Sequence, residues 1–276
     1  MTQPDVGRGA AERLERVRGQ RPLVHNITNY VVMNVTANAL LACGAAPVMA
    51  HAREEVEEMV AAAGALVLNI GTLSPPWVDA MAQAGRAANH RGIPVVLDPV
   101  GSGVTRLRTE AARRLTREVK ISVLRGNASE VLSLVRPGAG GKGVEAVHGV
   151  EKAAEDAVRL ARELGAAVAV TGAVDFVTDG HRACRVHNGH PLLARVTGTG
   201  CTATALIGAF LAVPGDPWEA AAGALAYLGS AGELAARGAA GPGTFQVNLL
   251  DSLAAIDGPR LAEMARIEVV GGEWKV

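Results

Sequence analysis

The chain has 276 residues, 27 acidic and 27 basic side chains, and a hydrophobic fraction of 49%. This balanced, scattered charge argues against a nucleic-acid-binding protein, and no apolar run reaches the roughly 18 residues that span a membrane. Three cysteines without local spacing argue against a disulfide framework or a cysteine zinc site, and the polar beginning lacks a signal core, so we expect a cytoplasmic protein.

In chain order, helix-length amphipathic stretches alternate with short β-branched runs. Residues 11–21 predict a helix with a solvated, charged face, and residues 28–44 predict a helix that leads into a short strand at 47–49. Further strands, with helices between them, are predicted at 65–71, 93–101, 121–127 and 166–172. This alternation favours a mostly parallel sheet covered on both faces.

The pattern changes in the second half of the chain. Residues 175–189 predict two strands joined by Asp179-Gly180, a strong hairpin signal that indicates an antiparallel edge. A last extended piece is predicted at 194–196. Alanine-rich helices are predicted at 201–213, 217–237 and roughly 244–266, with a tail from about residue 268. We therefore expect one α/β domain over residues 1–276, with a helical C-terminal third.

Polar side chains follow several of the predicted strands. In open α/β sheets, ligands bind beyond the carboxyl ends of the strands. Asp98 ends one strand, Arg125 and Glu130 follow the next, and Thr171 ends another. Carboxylates, an arginine and a hydroxyl at one sheet edge predict a site for a phosphate-bearing ligand together with a metal ion.

The stretch VTGTGCTAT at residues 196–204 leads into a predicted helix. Gly198 and Gly200 allow positive φ angles and close backbone approach. Their amides, with the first free N–H groups of the helix, would form an anion site. The alternative is a tight entry into a helix without any ligand.

Two interpretations of the stretch RGNASE at 125–130 remain open. Asn127 can cap the following helix, with Glu130 as the partner in a capping box. Glu130 can also face the strand ends and hold Mg²⁺ through water, and the two roles can coexist. Asp98 can likewise cap a turn, although a carboxylate that closes an apolar strand is costly unless it is solvated or used.

The stretch RPGAGGKG at 136–143 superficially resembles a phosphate-binding loop. Arg136 stands where the G-x-x-x-x-G-K-[ST] pattern requires Gly, and Gly143 stands where it requires Ser or Thr. We therefore interpret this stretch as a glycine-rich loop only.

Taken together, the stretches at 24–50, 96–103, 125–130, 170–172 and 197–201 resemble the hydroxyethylthiazole kinase family of the ribokinase-like superfamily. Related sugar kinases carry Asp where Cys201 stands. The resemblance implies a three-layer αβα fold and ATP-dependent phosphorylation of the primary alcohol of 4-methyl-5-(2-hydroxyethyl)thiazole. It also implies a thiamine-salvage role, Mg²⁺, and a homotrimer with sites between subunits.

The resemblance assigns roles to individual residues. The implied contacts are Met49, Gly198 and Asn29 for the thiazole alcohol, Arg125 and Thr171 for ATP, and Asp98 and Glu130 for Mg²⁺. Asn29 is expected to reach a neighbouring subunit's pocket. Thr199, Gly200 and Cys201 would form the catalytic turn. A cysteine at a helix N-terminus is expected to be more acidic than a free thiol, so Cys201 would be a weak base.

Three other functions remain open. The first is another kinase of the same superfamily, acting on a hydroxymethylpyrimidine or a sugar, against which the low aromatic content and Cys201 count. The second is a non-catalytic nucleotide-binding module, against which Asp98, Glu130 and the glycine turn count. The third is a purely structural trimer, which would not need polar groups at five strand ends.

Overall fold

A computed structural model describes residues 5–135 and 149–271, so the predicted loop at 136–143 lies outside the described residues. The strands are β1 (Leu23–Ile27), β2 (Ala46–Val48), β3 (Ala65–Asn69), β4 (Val95–Asp98), β5 (Val123–Asn127), β6 (Ala167–Thr171), β7 (Asp175–Thr178), β8 (Ala183–Val186) and β9 (Ile267–Val270). The helices of the first half are α1 (Val6–Gln20), α2 (Met33–Cys43), α3 (Val56–Ala62), α4 (Pro75–His90), α5 (Arg106–Glu118) and α6 (Ala128–Val135). Those of the second half are α7 (Gly149–Leu164), α8 (Thr199–Leu211), α9 (Pro217–Arg237), α10 (Pro242–Ala255) and α11 (Gly258–Met264).

The strands form one mixed sheet in the order β2-β1-β3-β4-β5-β6-β7-β8-β9. The strands from β2 to β6 pair in parallel, and β7, β8 and β9 pair antiparallel. The predicted hairpin is confirmed, with Gly180 at a φ of 90° in its turn. The parallel part therefore brings the ends of β3 to β6 to one edge, as the sequence predicted.

Two details of the predicted strand pattern are wrong. Residues 267–270 form β9 on the edge of β8, where the sequence predicted a tail. Residues 194–196 do not form a strand, because a 3₁₀ helix covers Pro191–Arg195 and only Val196, before the glycine turn, has extended backbone angles. Strand β1 was also not identified from the sequence, since its short run includes the buried polar residues His25 and Asn26.

Two layers of helices cover the sheet, which confirms the three-layer αβα fold. Helices α8 and α9 pack on one face, with α1, α2, α10 and α11 outside them, and α3 to α7 cover the other face. Alternate residues of one strand enter the two cores: Val67 of β3 belongs to the first, and Leu66 and Leu68 belong to the second. None of the described helices combines the length and apolarity that a membrane crossing requires.

Helix α1 is only partly the solvated helix that its charges predicted. The side chain of Arg13 is 2% exposed and donates to the carbonyl oxygens of Phe210 at 2.9 Å and Val213 at 3.3 Å. Phe210 lies in the last turn of α8 and Val213 stands two residues beyond its end, where backbone acceptors lack intrahelical partners and the helix dipole favours a cation. Arg13 therefore holds in place the helix whose other end forms the site.

Candidate active site

A cavity of about 600 Å³ lies at the carboxyl ends of β5 and β6, against the first turn of α8 and the middle of α9. Its polar lining includes Arg125, Thr171, Asp175, His190, Thr199 and Gly200. Its apolar lining includes Leu193, Ala194, Leu225 and Leu228. Ligand sites in proteins have this size and this mixture of an apolar wall and a few polar groups.

The glycine turn borders this cavity, and Gly198 and Gly200 have different structural roles in it. Gly198 caps α8 at a φ of 86°, and a Cβ there would lie 2.8 Å from Cγ1 of Val32. Gly200 does not have the positive φ that the sequence allowed; it lies in the first helical turn. A Cβ at Gly200 would lie 2.8 Å from Nη1 of Arg125, so the missing side chain makes room for the guanidinium.

Arg125 is held across the cavity by the end of the next strand. Its Nη2 donates to Oγ1 of Thr171 at 2.5 Å, and its Nη1 lies 3.7 Å from Oδ2 of Asp98. Its Nε is buried and has no hydrogen-bond partner among the described residues. The guanidinium therefore keeps unused N–H donors, which suit a phosphate oxygen.

Asp98 ends β4 as a fully buried carboxylate. Its Oδ2 accepts hydrogen bonds from Nδ2 of Asn69 at 2.8 Å and from Oγ1 of Thr204 at 2.7 Å. Burial raises the pKa of Asp98 to about 7, against the opposing effect of Arg125, and the nearby charge of Glu130 adds to the rise. Asn69 and Thr204 were not predicted from the sequence, although Asn69 closes β3 beside Asp98 as a polar residue after an apolar run.

Glu130 confirms the capping interpretation of RGNASE. Its Oε2 accepts a hydrogen bond from the backbone N–H of Asn127 at 2.8 Å. In return, Oδ1 of Asn127 accepts from the backbone N–H of Glu130 at 2.9 Å. Its Oε1 accepts from the N–H of Gly101 at 2.8 Å, which ties the loop after β4 to the start of α6. In the ranges 5–135 and 149–271, no three His, Cys, Asp or Glu side chains cluster as they would around a metal ion.

Cys201 differs from the acidic thiol that its place at a helix N-terminus predicted. Burial raises the pKa of Cys201 to about 11, and the charge of Asp98 adds to the effect. Nδ2 of Asn29 points at Sγ of Cys201 at a distance of 3.5 Å. The prediction of an acidic thiol is therefore wrong, because loss of water around the thiolate outweighs the favourable helix terminus.

Asn29 lies close to Asp98's partners in its own chain. It is 4% exposed, and its Nδ2 donates to Oδ1 of Asn69 at 2.8 Å. The expected contribution of Asn29 to a neighbouring subunit's pocket stays a prediction. The exposed groups next to it are Tyr30 and Val31.

The remaining expected site residues lie around this centre. Thr199 lines the cavity, and its hydroxyl donates to the carbonyl of Leu193 at 2.8 Å. Met49 is half-buried directly after β2 and does not line the cavity. Oδ1 of Asp175, which the sequence analysis took only as the start of a strand, accepts from the N–H of Gly172 at 2.9 Å on the cavity wall.

Comparison with known proteins assigns this arrangement to a family. The model of the hydroxyethylthiazole kinase family matches residues 14–258. The chain belongs to the hydroxyethylthiazole kinase family. It is 55% identical over 259 residues to the hydroxyethylthiazole kinase of Desulfotalea psychrophila, covering 94% of this chain and 95% of that one. It is 56% identical over 266 residues to that of Rubrobacter xylanophilus, covering 95% and 98% of the two chains.

Solved structures support the same family and fold. A hydroxyethylthiazole kinase protein from Pyrococcus horikoshii OT3 superposes with a TM-score of 0.88 at 49% identity, covering 95% of this chain and 99% of that one. An ADP complex of Bacillus subtilis pyridoxal kinase superposes with a TM-score of 0.55 at 19% identity, covering 76% and 91% of the two chains, and so shares the fold. The family resemblance and the ribokinase-like fold expected from the sequence are confirmed.

Proposed function

We propose that this protein is an ATP-dependent kinase that phosphorylates the primary hydroxyl of 4-methyl-5-(2-hydroxyethyl)thiazole, as part of thiamine salvage. Membership of the hydroxyethylthiazole kinase family supports the substrate. One structural observation carries the phosphoryl-transfer assignment: the guanidinium of Arg125 lies directly against Gly200, in the first turn of a helix that faces a large cavity.

We place ATP in the cavity at the ends of β5 and β6. The free amides in the first turn of α8 and the N–H groups of Arg125 would bind its phosphates, because both are preorganised donors at one wall. The hydroxyl of Thr171 fixes Arg125 at 2.5 Å and therefore belongs to the same binding unit. Leu225 and Leu228 of α9, together with Leu193, offer an apolar surface for the adenine base of ATP.

We assign Mg²⁺ to Asp98 and Glu130, and the donor set fits this ion. Oδ1 of Asp98 is buried without a hydrogen-bond partner among the described residues, and each oxygen of Glu130 uses only one lone pair on a backbone amide. Mg²⁺ typically binds one or two carboxylates and completes its shell with water and substrate phosphates. When bound, the ion neutralises charge on the transferred phosphoryl group.

We place the thiazole alcohol near Met49, Gly198 and Asn29, with its hydroxyl facing the turn at Thr199 to Cys201. Phosphoryl transfer has a loose transition state, so positioning and charge neutralisation supply most of the catalysis. With a pKa raised to about 11, the thiol of Cys201 keeps its proton at neutral pH. It therefore serves as a polar contact for the alcohol, and a strong base is not required.

We further propose a homotrimer with sites between subunits. Four exposed apolar side chains lie just before α2, on α2 or on the adjoining α10, which supports a subunit contact there: Tyr30, Val31, Leu41 and Val247. Sedimentation equilibrium tests the assembly, and a monomer at micromolar concentration would contradict it. The three unpaired thiols suit a reducing compartment, which supports a cytoplasmic location.

A coupled ADP-release assay tests the proposed function. We expect ADP release with the thiazole alcohol in the presence of Mg²⁺, and little release with a hydroxymethylpyrimidine or ribose. A preference for either of those alcohols would favour the other superfamily kinases. ATP binding without ADP release for any alcohol would favour a non-catalytic nucleotide-binding module.

A further inference from the structure

The hydrogen-bond donors around Asp98 all converge on one of its two carboxylate oxygens. Asn69 donates to Oδ2 at 2.8 Å, Thr204 donates to it at 2.7 Å, and Nη1 of Arg125 lies 3.7 Å from it. Oδ1 is equally buried, yet no described residue donates to it. The surroundings therefore distinguish between two oxygens that are chemically equivalent in an isolated carboxylate.

The amide of Asn69 can take only one orientation. Its Oδ1 accepts from the backbone N–H of Gly71 at 3.0 Å and from Nδ2 of Asn29 at 2.8 Å. Because a backbone N–H can only donate, the amide oxygen must face Gly71, and the NH₂ group must face Asp98. Asn29 is confined in turn, since its Nδ2 lies 2.5 Å from where a Cβ of Gly71 would stand.

Thr204 connects the same oxygen to the helix that carries the glycine turn. It lies one helical turn after Gly200, and its Oγ1 is also 3.3 Å from the carbonyl oxygen of Gly200. The side chain is fully buried. The Thr204 hydroxyl therefore connects Asp98 directly to the helix that carries the anion-binding turn.

We propose that Asn69 and Thr204 are positioning residues that occupy Oδ2 of Asp98 and thereby leave Oδ1 for the reacting groups. The inference rests on the proposed function, because the reacting groups are the alcohol and the phosphate of ATP with its ion. The terminal torsion of an aspartate is broad and nearly two-fold, so only external donors can fix the carboxylate plane. Asn69 and Thr204 supply those donors from two different elements, β3 and α8.

The test compares Thr204→Val, which keeps the side-chain shape but removes the hydroxyl, with Thr204→Ser, which keeps the hydroxyl. A loss of positioning alone predicts that T204V lowers kcat about tenfold with KM for both substrates within about threefold, because misplacement acts on the reacting geometry. T204S should return kcat to within about twofold of the wild type. Asn69→Leu combined with T204V removes both donors, and we expect a loss of at least about 10²-fold in kcat.

A matched control separates positioning from folding. Thr178 is also fully buried, and its hydroxyl donates to the carbonyl of Arg182 at 3.0 Å, on the hairpin strand β7. Its partner in register, Val168, belongs to the start of β6, so Thr178 lies away from the carboxyl ends. Thr178→Val should therefore lower Tm as T204V does, while its kcat stays at the wild-type value.

Crystal structures give a readout that does not depend on turnover. In nucleotide-free N69L/T204V we expect the carboxylate plane of Asp98 to rotate or to occupy two orientations; an unchanged plane would overturn the proposal.

A wild-type kcat in T204V, or a raised KM with unchanged kcat, would also overturn the proposal. Wild-type protein without activity on the thiazole alcohol would refute the proposed function instead, and the carboxylate plane would still decide this inference. If N69L does not fold, the plane in T204V compared with T204S decides it.

Discussion

Gly200→Ala tests whether the first turn of α8 binds phosphate through Arg125. The new Cβ would lie 2.8 Å from Nη1 and 2.9 Å from Nη2 of Arg125, whereas ordinary contact begins at 3.4 Å. The guanidinium therefore has to retreat by about 0.6 Å, away from the helix terminus with which it would share the phosphate.

The size of the effect follows from the bonds at risk. A hydrogen bond to a charged group contributes about 1.5–3 kcal/mol, and about 1.4 kcal/mol corresponds to a tenfold change in affinity. Partial loss of one or two such bonds predicts that Kd for ATP rises at least about tenfold. Stability should not fall, because Ala is preferred over Gly within a helix by up to about 1 kcal/mol.

Isothermal titration calorimetry with ATP, together with thermal unfolding, measures both quantities. Gly243 is the matched control, since it is also the second residue of a helix and a Cβ there would meet nothing within 4 Å. Gly198→Ala should show the reverse pattern, because a left-handed φ costs an alanine roughly 1–2 kcal/mol and Tm should fall. A folded G200A protein that binds ATP as tightly as the wild type would refute the role given to Gly200 and Arg125.

Three further predictions address other parts of the site. Arg125→Lys should weaken ATP binding about tenfold and leave thiazole-alcohol affinity unchanged in calorimetry, because a lysine cannot offer the planar fork. Iodoacetamide should label Cys201 in native protein at pH 8 more than about 10²-fold more slowly than free cysteine, because a pKa of about 11 leaves little thiolate. Burial lowers the pKa of His25, so below about pH 6.5 the unfolded chain binds a proton more readily than the folded chain, and Tm falls. His25→Gln should therefore make Tm fall less steeply as the pH is lowered through this range.

Each of these predictions has a clear contrary result. Equal losses of ATP and thiazole affinity in R125K would remove Arg125 from the nucleotide site. If Cys201 is labelled as fast as free cysteine, its thiol is acidic and the raised pKa is wrong. Mass spectrometry distinguishes labelled Cys201 from the buried Cys43 and Cys184. An unchanged acid slope in H25Q would show that His25 does not govern stability there, with exposed His181→Gln as the control.

The sequence predicted the parts of the site that depend on local pattern. Strands β4 and β6 are apolar up to their last residues, so the polar residues that end them, Asp98 and Thr171, could be placed at one sheet edge from the amino-acid pattern alone. The capping role of Glu130 follows from its spacing to Asn127. In each case a short stretch contains the whole pattern on which the prediction rests.

The missed features depend on contacts between distant segments. Strand β9 is recognisable only through its pairing with β8, some 80 residues earlier in the chain. Arg13 is buried because the carbonyls at the end of α8 need a donor, which its own helix does not reveal. The raised pKa of Cys201 likewise comes from burial by neighbouring strands, so the local signal of a helix N-terminus gave the wrong direction.

The central claim is that the glycine turn and Arg125 bind the phosphates of ATP in the cavity at the ends of β5 and β6. A crystal structure with a non-hydrolysable ATP analogue, Mg²⁺ and the thiazole alcohol tests it most directly. We predict phosphate oxygens within hydrogen-bond distance of the amides at Thr199 and Gly200 and of the Arg125 guanidinium. A nucleotide bound elsewhere, or phosphates that contact neither group, would contradict the account.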